Sequence, residues 1–68
     1  MTFDKILPLL LKGEEVSRAG WSETMKLFID ENTIYQQEMM ATYTASRFWI
    51  PSQYDLMSDD WKVVDACQ

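Results

Sequence analysis

The chain has a single cysteine, Cys67, and no histidine in its 68 residues. This constrains the fold more than any other feature. A chain of this length forms one domain at most, residues 1–68, and buries only about 60% of the surface exposed by its unfolded form. Such a core rarely supplies more than about 3–5 kcal/mol, so small domains add disulfides, metals or partners. One cysteine cannot close a disulfide within the chain. Without histidine, a His/Cys zinc site is also excluded. Oligomerisation is then the expected extra source of stability. A lone thiol beside the C-terminus also suits a reducing compartment, and a cytoplasmic protein is expected.

The chain is 47% apolar with a formal charge of −5, which is a globular composition. The acidic balance argues against DNA or RNA polymers, whose backbones need a positive face. No run approaches the roughly 20 apolar residues of a membrane span. The opening MTFDKILPLLLKGEE has neither a basic leader nor a small-residue cleavage site, so it reads as mature sequence.

Phe3, Ile6, Leu7 and Leu10 fall on one helical face, so TFDKILPLLLKG is expected to be a short helix. Thr2 is a candidate cap and Gly13 a candidate C′ residue. Pro8 removes one backbone hydrogen bond beyond the first turn, which predicts a bend or an early end. Glu15 to Ser17 suit a strand, and Gly20 suits a turn with positive φ. Met25, Leu27 and Ile29 alternate with Lys26 and Phe28, the period of a strand, and Asp30-Glu31-Asn32 marks a turn. The segment from Thr33 to Ile50 mixes helix formers with β-branched and aromatic residues. The alternation of Tyr43, Ala45, Arg47 and Trp49 favours strands. Pro51 ends them, and Ser52 with Asp55 resembles a capping box opening a helical turn. WKVVDA is a last strand. The fold class is α+β: a short N-terminal helix on a small antiparallel sheet, with a helical turn before the final strand.

Asp55, Asp59 and Asp60 form an acidic cluster. Their spacing matches no calcium loop, so a cap and a solvated turn is the simpler reading than a metal site. Paired carboxylates can also do acid–base work, but no histidine or nucleophile accompanies them. Trp61 reads as core. Trp21 and Trp49 adjoin turns and could be platforms for a flat base, with Ser52 and Gln53 as hydrogen-bonding neighbours. Arg18 has two readings, a phosphate contact or an ion pair with one of the eleven acids. Met39, Met40 and Met57 suit core filling, an oligomer interface or an adaptable binding face.

Two blocks carry a resemblance. The first is Phe3-x-x-Ile6-Leu7-x-x-Leu10, Gly13, Val16 and Arg18-Ala-Gly20-Trp21. The second is Trp49-x-x-Ser52-Gln53-x-Asp55-x-x-x-x-Asp60-Trp61-x-Val63-Val64. Together they resemble the Thoeris anti-defense 2-like family. The resemblance implies a helix on an antiparallel sheet, a homo-oligomer (tetramer or dimer), and no enzymatic activity or cofactor. It implies sequestration of nucleotide second messengers, such as glycocyclic ADP-ribose or cyclic dinucleotides, made by bacterial immune systems. By this carry-over the ligand-binding candidates are Arg18, Trp21, Trp49, Ser52, Gln53, Asp55 and Asp60. Where the family usually has Asn-Gly after Gly-Trp, this chain has Ser22-Glu23, and a carboxylate facing the pocket would oppose a pyrophosphate. The alternative reading is a small module that docks on a host protein through its Met- and aromatic-rich face.

Overall fold

Ile6 and Leu10 make one side of α1 (Phe3–Leu11) the lid of the core, with Phe3, Leu7 and Leu9 packed at its margin. The computed structural model of the protein describes residues 1–64. Cys67 and the expected extension of the last strand through Asp65 and Ala66 lie outside the described residues. The helix runs through Pro8 to Leu11 without an early end. Pro8 is exposed, and its carbonyl still accepts from the Lys12 N–H at 3.2 Å, so only the bond its ring nitrogen cannot donate is lost. Gly13 ends the helix as expected, at φ +106°. Its N–H donates to the Leu10 carbonyl and the Glu14 N–H to the Leu9 carbonyl, the paired bonds of a Schellman motif. Thr2 departs from expectation. It occupies the N-cap position, but its side-chain oxygen accepts no capping hydrogen bond; its hydroxyl donates to the Asp4 carboxylate. That bond holds the Asp4 carboxyl below its ordinary range.

Five antiparallel strands form one sheet: β1 (Val16–Arg18), β2 (Met25–Asp30), β3 (Thr33–Met39), β4 (Thr44–Phe48) and β5 (Trp61–Val63). Their spatial order is β4-β3-β2-β1-β5. The first four are a meander. The chain then crosses from one edge of the sheet to the other, roughly 19 Å at ordinary strand spacing, through α2 (Gln53–Met57). The ambiguous middle segment is a hairpin. Gln36, Gln37 and Glu38 are good helix formers, yet β2 and β4 hydrogen-bond on both sides of them, and that pairing overrides propensity. Glu31 and Asn32 both have positive φ, 49° and 64°, in the two-residue turn that joins β2 to β3.

Gly20 lies in the expected turn, but among the described residues Gly13 is the only glycine at positive φ. Space, not backbone angle, is what favours glycine at position 20. A Cβ there would sit 3.3 Å from a carboxylate oxygen of Asp60.

The sheet has two unlike faces. Val16, Leu27 and Trp61 meet Ile6 and Leu10 in a core of five buried apolar residues, which confirms Trp61 as core. The opposite, open face carries two rows. Lys62, Ser17, Lys26, Gln37 and Ser46 lie side by side across the strands. Phe28, Tyr35 and Phe48 form an aromatic ladder, with ring centroids 5.4 and 5.5 Å apart.

Candidate ligand site

The crossover from β4 to β5 contains most of the residues singled out from sequence, and its local chemistry explains why. Ser52 caps α2: its hydroxyl accepts from the Asp55 N–H at 3.2 Å, while the Asp55 carboxylate accepts from the Ser52 N–H at 3.1 Å. The capping box read from the sequence is therefore formed, with Asp in place of Glu. The other oxygen of Asp55 accepts from Arg18 Nη1 at 3.0 Å, and Arg18 Nε donates to Asp60 at 2.9 Å. Asp60 uses its second oxygen to hold the Gly20 N–H at 3.0 Å, and its backbone carbonyl accepts from the Ala19 N–H.

One guanidinium thus ties β1 to both ends of a segment about forty residues away. The Arg18 and Asp55 side chains are only 19% and 13% exposed. Such a pair is costly to break, since removing one member leaves the other charge poorly solvated. Hydrogen bonding from Arg18, then from the Gly20 N–H, holds the Asp60 carboxyl below its ordinary range. Its bonds to the two carboxylates, Asp60 first and then Asp55, raise the Arg18 pKa. Of its two sequence readings, Arg18 adopts the ion pair.

The tryptophans converge on the same place. Trp61 is the hub: Trp21 and Trp49 meet it edge-on at 5.3 and 5.9 Å, and Phe3 packs on both Trp49 and Trp61. The Trp61 indole N–H donates to the Asp55 carbonyl at 2.8 Å, so the ring also fastens α2. Trp21 and Trp49 are half-buried, each with part of its surface open. Gln53 is exposed at the first position of α2, and Asp59 is exposed beside the clamp.

The seven candidates therefore separate. Arg18, Ser52, Asp55 and Asp60 form a clamp, Trp21 and Trp49 flank the Trp61 hub, and Gln53 stands at the surface. Two of them, Arg18 and Trp21, also line an open groove of about 550 Å³. Its other walls include Ser17, Lys26 and Lys62 from the open face and Glu23 from the β1–β2 loop. Glu23, where the resemblance led to an expectation of glycine, is among the residues that line this groove. Sequence reading did not single out Ser17, Lys26 or Lys62. The available signal was alternation, since each lysine sits between apolar residues of a short strand and so points away from the core. Their register across three strands was not legible from any one of them.

Fold and clamp define a small α+β domain whose last crossover is pinned by one arginine, two aspartates and a tryptophan hub. The sequence model of the Thoeris anti-defense 2-like domain matches residues 1–64, and the chain belongs to that family. Membership supports an anti-defense role. No curated protein matches the chain significantly. Among the described residues, no helix is long and apolar enough to cross a membrane.

Proposed function

We propose that the chain acts in the bacterial cytoplasm by binding a nucleotide second messenger, of the glycocyclic ADP-ribose or cyclic dinucleotide type, and holding it unaltered. Sequestration would deprive a defence effector of its signal. The observation that carries this reading is the position of Trp21. Its ring is fixed against Trp61 on one side and borders the groove on another. A platform held in place before binding loses little ordering entropy when a base stacks on it. The clamp supports binding without turnover, because its carboxylates are engaged by Arg18 and by backbone N–H groups.

The aromatic ladder supports a homo-oligomer. Phe48 is 67% exposed, and β4 is an edge strand with every residue exposed. A second copy on this face would supply the burial that a five-residue core lacks. Exposed Met39, Met40 and Tyr43 near the β3–β4 connection favour the second reading, docking on a host protein.

Calorimetry against a panel of cyclic nucleotides tests the reading. At least one member should bind, and Trp21→Ala should weaken it roughly tenfold to a hundredfold, the equivalent of about 1–3 kcal/mol of stacking. Absence of binding across the panel at high micromolar concentration, with one host protein recovered stoichiometrically from lysate, would favour the docking module. Loss of the nucleotide on incubation with Mg²⁺ would contradict binding without turnover.

A further inference from the structure

We infer that the groove beside the β1–β2 loop is an anion site in which Lys26 and Lys62, above a floor made by Ser17, hold the pyrophosphate of a nucleotide ligand. This deepens the binding reading above and rests on it for the nucleotide, though not for the anion. The first support is charge. The chain carries −5 overall with six basic residues, yet three of the six line this groove against one acid, Glu23. Arg18 is already engaged by Asp55 and Asp60, and Lys26 is paired with Glu15, so among the described residues Lys62 is the groove cation without an ion pair.

Geometry is the second support. Lys62 pairs with Ser17 across β5 and β1, and Lys26 adjoins Ser17 from β2. The lysines thus stand two strand spacings apart, roughly 10 Å, on either side of a small residue. Long flexible stems let both ammonium groups lean over that residue toward one two-phosphate anion. Ser17 is 5% exposed, and its hydroxyl donates to the Met25 carbonyl at 2.9 Å. Its own polar group is satisfied, and its small size keeps the groove open. Lys26 is anchored by Glu15 at 2.9 Å, with its side chain 22% exposed. That contact uses part of an ammonium with three donors. The groove volume falls in the roughly 300–1,000 Å³ range of small-molecule sites. Glu23 works against an anion there, which makes it a second, independent probe.

The test is a chemical-shift titration of ¹⁵N-labelled protein with inorganic pyrophosphate and, separately, with ADP. Both should move the amides of Ser17, Lys26 and Lys62, and less so in high salt. Lys62→Gln, at an exposed site, should weaken both ligands about fivefold, and Lys26→Gln similarly. Glu23→Gln should strengthen both. If pyrophosphate binds the groove and no nucleotide does, the anion site stands and the nucleotide reading falls. If ADP binds with shifts confined to Gln53 and Trp49, and Lys62→Gln binds equally well, the anion site falls and the nucleotide reading stands. If neither ligand moves any amide, both fall.

Discussion

The two ends of the sheet are built on opposite plans. At the β1–β5 end, the buried side chains meet the tryptophan hub and the clamp in which Arg18 is paired with two aspartates. At the β3–β4 end, α1 provides no lid, β4 is exposed along its length, and the polar side chains of Gln36 and Arg47 occupy the face that is core elsewhere. The contrast shows how a chain without covalent or His/Cys metal staples organises itself. Stability is concentrated at one end, and the other end presents aromatic surface suited to a partner.

Breaking the concentrated end should have the largest effect. Trp61→Ala removes the hub and the indole bond to α2 together, and a buried tryptophan lost to alanine costs about 3–5 kcal/mol. That equals the whole expected stability of a core this size. The variant should show no cooperative thermal transition, whereas Trp61→Phe should retain one at lower temperature.

Arg18→Met comes next. It leaves the largely buried Asp55 carboxylate without its cation and should cost about 2 kcal/mol in denaturant unfolding. The same clamp sets a pH dependence. The folded state holds the Asp60 carboxyl below its ordinary range, so its contribution is complete above about pH 4 and is lost as pH falls through the lowered folded value. Thermal scans should show acid destabilisation in the parent, and a flatter profile in Arg18→Met.

These two predictions separate what the sequence makes legible from what it does not. The helical face of Phe3, Ile6, Leu7 and Leu10, the Gly13 stop and the Ser52–Asp55 box are all readable, because each is a local pattern within about one to two helical turns. The partners of Arg18 are not. Asp55 and Asp60 lie 37 and 42 residues away, and only the crossover to the far edge of the sheet brings them together. The role of Gly20 was hidden for the same reason, since the Asp60 carboxylate that crowds it arrives with β5. Thr2 stands at the N-cap without capping, and the short-range bond its hydroxyl donates to Asp4 was not read from the sequence. A two-block motif separated by β2, β3 and β4 is therefore readable as a pattern before its physical purpose is visible.

At the open end the effects should be smaller and of a different kind. Glu31 holds a left-handed backbone angle that disfavours a residue with a Cβ. Replacing Glu31-Asn32 with Asn-Gly matches the turn chemistry and should stabilise the fold by about 1 kcal/mol in denaturant unfolding. Phe48→Thr should change monomer stability least, within about 0.5 kcal/mol, because the ring is mostly exposed. On the proposal of a homo-oligomer its expected effect is on assembly: sedimentation should show smaller species than the parent, with the fold retained by circular dichroism.

The clamp is tested most directly by a double-mutant cycle on Arg18→Met and Asp55→Asn, read by denaturant unfolding. If one guanidinium ties the crossover to β1, the two changes should be coupled by about 1–2 kcal/mol, the double variant being less destabilised than the sum of the singles. Additivity within about 0.3–0.5 kcal/mol would contradict the clamp.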